Sequence, residues 1–312
     1  MAPPVAGAVE VSLRGGRISA PGPAARLGAV KLVTFDAGDG PRAGVLDGER
    51  VLDAWALLGE PHRGSLRELI AAGRVGELRE RIGDAGAPAH PASAVRLLPP
   101  IPDPEKIVCI GLNYRRHAAE VGAEPPESPT IFAKYRNALV GPGATVTLPA
   151  NSTKVDYEAE VAFVVGRRAK DVPEAEALGH VAGYTLLNDL SARDLQGATP
   201  QWMPGKVFDG AAPCGPWLVT PDEAGAPDAI ELRLTLNGEE MQAARTDDLI
   251  FGIAALLSRL SSLMTLEPGD IVATGTPHGV GMGRKPRVWL ADGDEVVIES
   301  PTLGRLATRI AR

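Results

Sequence analysis

Short strand-like runs separated by turns constrain the fold of this chain more than any other feature of its sequence. Within each run the apolar residues are continuous or alternate, which is typical of buried and half-buried strands. The chain has 36 glycines and 28 prolines for turns, and only residues 248–264 show the periodicity of a long helix. The pattern predicts a β-rich α+β fold. The runs lie at residues 30–35, 106–110, 155–165, 181–187, 231–236, 271–274 and 295–298.

A proline-rich segment predicts a domain boundary. Residues 99–104 contain four prolines, which interrupt periodic elements and stiffen the chain. We therefore expect a small N-terminal α+β domain at residues 29–99 and a larger domain at residues 104–312. Residues 1–28 are rich in Ala, Gly and Pro without any period, which predicts a disordered segment or an extension.

The smaller region carries clear local signals. Asp47-Gly48 between two apolar runs predicts a hairpin. Ser65 with Glu68 predicts a capping box at the start of a helix, and Gly73 is placed to end that helix. A second helix is expected over residues 77–82.

Charge and composition exclude several classes of function. The chain has 32 basic and 39 acidic residues, a net charge of −7 and a pI near 5.4, so it offers nucleic acids and anionic membranes no basic field. No apolar run approaches the roughly 20 residues that span a bilayer, and residues 1–14 lack the pattern of a secretory signal. Cys109 and Cys214 cannot form a disulfide framework, and no Walker loop or complete dinucleotide fingerprint is present. We expect a soluble cytoplasmic protein.

An acidic stretch at residues 155–165 is the first candidate site. If these residues form one strand, Asp156, Glu158 and Glu160 share a face. Side-by-side carboxylates repel each other unless they are protonated or share a cation, and hard oxygen ligands suit Mg²⁺, Mn²⁺ or Ca²⁺. Asp189 follows another apolar run at a strand-to-helix turn and can supply a third oxygen. A solvated strand face, with Asp189 as a turn residue, remains the alternative.

A histidine and a glutamate provide a candidate base. We expect Asn113 to cap a short helix that Gly122 ends, which places His117 and Glu120 on one face. A carboxylate beside an imidazole fixes its tautomer and raises its basicity, so the pair can deprotonate water near neutral pH. An exposed surface ion pair is the alternative interpretation.

The segment after Asp189 supplies further polar candidates. Ser191 with Asp194 predicts a capping box, and Arg193 and Gln196 lie one helical turn apart on the same face. Lys206 lies among turn residues further along, where a solvated lysine is the alternative.

Five segments in this order resemble the fumarylacetoacetate hydrolase family. Each segment is weakly specific alone, but together they cover most of residues 106–300, and the region before the prolines is similar to the smaller N-terminal domain of many bacterial members. The segments are IGLNY at 110–114 with His117 and Glu120, DYEAE at 156–160, NDLSARD at 188–194, GKVFDG at 205–210 followed by PCGP at 213–216, and GDIVATGTP at 269–277 with GVG at 279–281.

The resemblance implies a catalytic domain of mixed β-sheets rolled around a central metal site, usually in a homodimer. It assigns a divalent cation, Mg²⁺ or Mn²⁺ with Ca²⁺ as a further candidate, to three carboxylates. It also implies a water-activating pair, an active-site lysine and contacts to the substrate. The implied residues are Glu158, Glu160 and Asp189 for the metal, His117, Glu120 and Lys206 for catalysis, and Arg193, Gln196 and Thr276 for the substrate.

The expected substrate is a small 2-oxo acid. Our first hypothesis is metal-dependent hydrolysis of a carbon–carbon bond in a 2,4-dioxo acid of the acylpyruvate or fumarylpyruvate type. The alternatives are decarboxylation of a β-keto diacid such as oxaloacetate, and isomerisation or hydration of an unsaturated 2-oxo diacid from aromatic catabolism. A non-catalytic protein that binds metal and 2-oxo acid is the third hypothesis.

Overall fold

The computed structural model describes residues 30–61, 64–83 and 88–312, so the expectation for residues 1–28 lies outside the described part. A large mixed sheet runs through the molecule, and the predicted α+β class is confirmed. Two smaller sheets accompany it. The strands of the described residues are β1 (Lys31–Asp36), β2 (Pro41–Asp47), β3 (Arg50–Asp53), β4 (Ala89–Pro91), β5 (Arg96–Leu97), β6 (Ile107–Gly111), β7 (Thr130–Lys134), β8 (Leu139–Val140), β9 (Thr145–Thr147), β10 (Val155–Asp156), β11 (Ala159–Val165), β12 (Val181–Asn188), β13 (Ser191–Ala192), β14 (Ala212–Val219), β15 (Glu231–Leu236), β16 (Glu239–Arg245), β17 (Ile271–Ala273), β18 (Glu295–Ser300) and β19 (Gly304–Ala311).

The helices of the described residues are mostly short. Only α8 exceeds two turns, and it packs against α5. No helix in this part of the chain is long and apolar enough to cross a membrane. The helices are α1 (Ala54–Leu57), α2 (Leu66–Ala71), α3 (Val75–Arg81), α4 (Arg115–Glu120), α5 (Glu174–Ala177), α6 (Arg193–Gln196), α7 (Pro221–Ala224) and α8 (Ile253–Leu263).

The large sheet joins the two regions on either side of the prolines. Its strand order is β4-β3-β2-β1-β14-β12-β11-β17-β6-β7, with β5 on β1 and β8 on β14. The junction is the antiparallel pair β1–β14, where Lys31 lies opposite Val219 and Leu32 opposite Leu218. The domain boundary at residues 99–104 stays a prediction, but any movement across it must preserve this pairing.

A second layer covers the centre of the large sheet. The five-stranded sheet β16-β15-β18-β19-β9 lies with β15 against β11 and β18 against β12. Every residue of β11 is buried as a result. A strand covered on both faces is normally a continuous apolar run, and Glu160 is the charged exception on β11.

Local signals in the smaller region are confirmed. β2 and β3 form the expected hairpin, and Gly48 in its turn has a φ of 59°. Ser65 and Glu68 form the capping box of α2, and Gly73, with a φ of 69°, follows its end. These motifs depend only on residues a few positions apart, so the sequence specifies them directly.

The acidic stretch is not one strand, contrary to the expectation for residues 155–165. The ladder breaks after β10 because the Glu158 N–H donates to Asn188 Oδ1 at 3.1 Å and the Ala159 N–H donates to Gln242 Oε1 at 2.9 Å. Asp156 instead pairs with Ser191 in the two-stranded sheet β10–β13. The alternation of side chains between the two faces of a strand therefore does not continue from Asp156 to Glu160.

The expected capping box at Ser191 and Asp194 is wrong. The N-cap of α6 is Ala192, without a side-chain bond. Ser191 Oγ donates to the Asp189 carbonyl at 2.8 Å, and the Asp194 carboxylate accepts from Ser152 Oγ at 2.6 Å. The predicted long helix is also shorter than expected, because Thr246–Asp248 forms a 3₁₀ turn and α8 begins at Ile253.

Asn113 does not cap α4, whose N-cap is Tyr114. Its buried amide donates to the carbonyls of Phe251 at 3.1 Å and Thr274 at 2.8 Å, and its Oδ1 accepts from the Phe251 N–H at 2.9 Å. Asn113 therefore ties the start of α4 to two segments that are more than 130 residues away.

Removing the Asn113 amide should destabilise the protein. Asn113→Ala leaves three backbone groups without their partner, and at about 0.5–1.5 kcal/mol each we expect the free energy of unfolding to fall by about 2–4 kcal/mol. Urea denaturation followed by circular dichroism measures this change. The exposed Asn151 provides a control, since Asn151→Ala should stay within about 0.5 kcal/mol. Equal stability of the two variants would contradict this stabilising role of the Asn113 hydrogen bonds.

Candidate active site and metal centre

One cavity of about 350 Å³ brings together the polar residues singled out in the sequence. It lies where the starts of β11 and α6, the end of β12 and the helix α4 meet. Glu120 is the one predicted site residue that does not line this cavity, and its carboxylate contacts the Nδ1 atom of His117. The predicted residues that line the cavity are His117, Glu158, Glu160, Asp189, Arg193, Gln196, Lys206 and Thr276.

Three buried carboxylates form an acidic cluster: Glu158, Glu160 and Asp189. Antiparallel pairing sets Ala159 opposite Asn188, so the start of β11 lies beside the end of β12. The Asp189 N–H donates to the Glu158 carbonyl at 2.9 Å and fixes this approach. One oxygen from each carboxylate lies within 4.8 Å of the others.

Two cations that line the cavity balance part of the acidic cluster, and a third, Lys134, lies with its Nζ 2.8 Å from Asp189 Oδ1. Lys206 Nζ donates to Glu158 Oε2 at 2.7 Å and to Asp189 Oδ2 at 2.8 Å, and Arg193 Nη2 lies 2.6 Å from Glu158 Oε1. Burial raises the pKa of Glu158, but Arg193 and Lys206 outweigh it and hold that pKa well below its usual value. Burial lowers the pKa of Lys206, but Asp189 and Glu158 raise it above normal, so Lys206 is an ammonium donor.

Glu160 carries the uncompensated charge of the cluster. Its Oε2 accepts from the Gly275 N–H at 2.9 Å, and no ion pair joins it to a cationic side chain of the described residues. Burial and the neighbouring charges of Asp189 and Glu158 raise its pKa well above the usual value. A negative charge here needs a further cation.

The acidic cluster fits a divalent cation. Two ligands on opposite sides of Mg²⁺ or Ca²⁺ lie about 4–5 Å apart, twice the metal–oxygen distance of about 2.0–2.6 Å. The spread of at most 4.8 Å matches this span. All three donors are carboxylates, the ligands that Mg²⁺ and Mn²⁺ favour.

His117 and Glu120 form the candidate base. His117 Nδ1 lies 2.9 Å from Glu120 Oε2, and Glu120 Oε1 accepts from the Gly279 N–H at 2.9 Å. Burial raises the pKa of Glu120, but the bonds from His117 and Gly279 outweigh it, so that pKa lies below its usual value. The ionised carboxylate therefore accepts a hydrogen bond from the Nδ1–H group. The unprotonated Nε2 is left to accept a proton from a molecule in the cavity.

The three residues expected to contact substrate are held by protein groups. Arg193 Nε donates to Asp156 Oδ2 at 2.9 Å, and its Nη1 donates to Gln196 Oε1 at 3.0 Å. Thr276 Oγ1 accepts from Gln242 Nε2 at 2.9 Å. Arg193 is therefore paired with carboxylates on one side, and all three residues line the cavity.

Several residues of the site were missed in the sequence. Lys134 is fully buried, with Nζ 2.8 Å from Asp189 Oδ1 and 2.6 Å from the Lys206 carbonyl. Phe132 and Trp202 line the cavity. A lysine that directly follows the apolar residues of β7 is a signal for Lys134, since buried lysines are rare without a partner. Nothing local marks Trp202.

The fold and the site match known proteins. Residues 106–311 match the domain family described as fumarylacetoacetate (FAA) hydrolase C-terminal. The mitochondrial oxaloacetate tautomerase FAHD2A of Bos taurus is 43% identical over 225 residues, 72% of each chain.

Two solved structures are also similar. Fumarylacetoacetate hydrolase from Exiguobacterium antarcticum has a TM-score of 0.80 and 34% identity, covering 91% of this chain and 100% of its own. Maleylpyruvate hydrolase from Sphingobium sp. SYK-6, in complex with manganese(II) and pyruvate, has a TM-score of 0.75 and 31% identity over 90% and 98% of the two chains. With its domain match and these identities, this chain belongs to the fumarylacetoacetate hydrolase family.

Proposed function

We propose that this protein is a metal-dependent enzyme that interconverts the keto and enol forms of a 2-oxo dicarboxylic acid such as oxaloacetate. The observation that carries the proposal is the convergence of the acidic cluster, Lys206 and the His117–Glu120 pair on one cavity. The similarity to an oxaloacetate tautomerase supports this substrate over the 2,4-dioxo acid of the first hypothesis.

The residues divide the work of a proton transfer. Glu158, Glu160 and Asp189 would hold Mg²⁺ or Mn²⁺, which when bound polarises the 2-oxo group and acidifies the neighbouring C–H. His117 Nε2 takes the proton from C3, and Glu120 stabilises the imidazolium that forms. Lys206 donates to the oxygen on which negative charge develops. The imidazolium then gives its proton to that oxygen, which forms the enol and restores neutral His117, so atoms and charge balance without a co-reactant.

The direct test uses the ultraviolet absorbance of the enol. Enol oxaloacetate should decay faster with the Mg²⁺- or Mn²⁺-loaded protein than in buffer with the same metal, and chelation should remove the acceleration. Mass spectrometry of the products, run on a panel of 2-oxo and 2,4-dioxo acids, distinguishes tautomerisation from decarboxylation and hydrolysis. Metal and pyruvate binding without turnover of any acid would support the non-catalytic alternative.

Glu160→Gln tests the metal site. The amide keeps the shape of the side chain but loses the charge, so Mn²⁺ affinity should fall by more than the roughly 10–100-fold cost of losing an outer-shell partner. Titration calorimetry measures this change, with Glu174→Gln on the surface of α5 as control. Mn²⁺ at about 100 times its Kd should stabilise the wild type by about 2.7 kcal/mol and the variant hardly at all. Unchanged Mn²⁺ affinity would refute the assignment.

His117→Gln tests the base. Loss of general-base catalysis should lower kcat by about 10²–10⁴-fold, while Mn²⁺ affinity stays within about threefold of wild type because His117 is outside the acidic cluster. Steady-state kinetics and calorimetry on the same preparation give both values. His180→Gln, which changes a histidine outside the cavity, should leave both unchanged. Full activity in His117→Gln would exclude His117 as the base.

Hydrolysis of an acylpyruvate is the second candidate function. The His117–Glu120 pair favours it, because the same base can take a proton from water placed in the cavity. The similarity to a maleylpyruvate hydrolase adds support. Pyruvate and a second acid among the products of a 2,4-dioxo acid would identify this reaction.

A further inference from the structure

One wall of the cavity is apolar and has no role in the proton transfer proposed above. This apolar wall consists of Ile110, Leu112, Phe132 and Trp202. Ile110 lies on β6, Leu112 follows that strand, and Phe132 lies on the neighbouring β7 opposite Cys109. The wall therefore draws on two paired strands, and Trp202 packs against Gly111 of β6.

Trp202 is held in place by close packing. A Cβ on Gly111 would lie 2.2 Å from Trp202 Cζ3, so only glycine at this position lets the indole rest on the strand. The indole also meets the Phe132 ring edge-on, with centroids 5.7 Å apart and an interplanar angle of 66°. This edge-to-face geometry is a favourable arrangement for aromatic pairs.

The apolar wall begins at the reacting centre. Lys206 Nζ contacts two carboxylates of the acidic cluster and lies 4.8 Å from the Phe132 ring centroid. Trp202 and Lys206 are also joined through one short turn, Met203–Gly205, which closes with the Lys206 N–H on the Met203 carbonyl at 2.9 Å. A substituent that extends from a substrate held at the acidic cluster therefore meets Phe132 first and Trp202 second.

Among the cationic residues that line the described cavity, Lys206 lies over the Phe132 ring, and no cation–ring contact joins any of them to Trp202. Arg193 and Lys206 contact the acidic cluster, and His117 is paired with Glu120. The second carboxylate of oxaloacetate is one carbon from C3 and stays near these cations. A longer substituent on C3 extends beyond these cations and contacts the aromatic rings of Phe132 and Trp202. An apolar group is desolvated there at no electrostatic cost.

We propose that the cavity also accepts arylpyruvates, 2-oxo acids with an aromatic ring on C3, and that Trp202 determines this specificity. The inference rests on the proposed keto–enol activity. In the reaction His117 takes the C3 proton, the C3–H electron pair forms the C2=C3 bond, and the π pair of C2=O moves to the oxygen, which then receives the proton from His117. The arylpyruvate ring packs against Trp202 and Phe132. The cavity volume of about 350 Å³ lies within the range of about 300–1,000 Å³ for small-molecule sites.

Phenylpyruvate is the probe, assayed with the Mg²⁺-loaded protein through its enol absorbance. Wild type should accelerate ketonisation of both phenylpyruvate and oxaloacetate. Trp202→Ala should lower kcat/KM for phenylpyruvate by about 10–100-fold, while kcat/KM for oxaloacetate changes by less than about threefold. Gly111→Ala, whose new Cβ displaces the indole, should shift the ratio of the two values in the same direction.

Met203→Ala is the matched control, because Met203 is next to Trp202 but does not line the cavity; its ratio should equal that of wild type. Wild-type turnover of oxaloacetate without phenylpyruvate, or an unchanged ratio in Trp202→Ala, overturns the inference and leaves the proposed function standing. If neither acid is turned over, the proposed function fails. Calorimetry with phenylpyruvate, which is then bound without turnover, tests the contact of its ring with Trp202: weaker binding to Trp202→Ala than to wild type supports the inference, and equal binding overturns it.

Discussion

The Lys206 ammonium between Glu158 and Asp189 is the interaction on which the site depends. All three groups are buried, and isolated charges in such surroundings would cost several kcal/mol each. Two short ion pairs, supported by Arg193 on the other oxygen of Glu158, compensate that cost. The loop that carries Lys206 must therefore lie against the start of β11, which closes one side of the cavity.

This arrangement explains why the acidic cluster keeps a negative charge that no protein cation of the described residues pairs with. Lys134, Arg193 and Lys206 pair with Glu158 and Asp189. Among the described residues, the Gly275 N–H is the only group that donates to the Glu160 carboxylate. β11 cannot rotate Glu160 toward solvent, since the second sheet covers the strand and every residue in it is buried. The His117–Glu120 pair comes from α4, a separate element. The proposed metal ligands and the proposed base therefore lie on different elements around a shared cavity.

Asp156 shows where sequence reasoning reaches its limit. Alternation along a strand placed it beside Glu158 and Glu160, yet its carboxylate accepts from Arg193 and from the N–H groups of Gly281 and Met282. The break that separates it depends on Asn188 and Gln242, which are 30 and 83 positions away from the N–H groups they bind. A rule with a period of two residues contains no information about such distant acceptors.

The sequence by itself determined the β-rich class, the hairpin at Gly48, the capping box at Ser65 and the residue types that suit a divalent cation. These features arise from backbone geometry and side chains within a few positions, so local pattern suffices. The tertiary structure decided which acids converge, that β1 extends the large sheet through β14, and that Trp202 reaches Phe132. Each of these depends on pairing between distant segments, such as the 48 positions between Glu158 and Lys206. Packing of the whole chain, which no local pattern encodes, sets those distances.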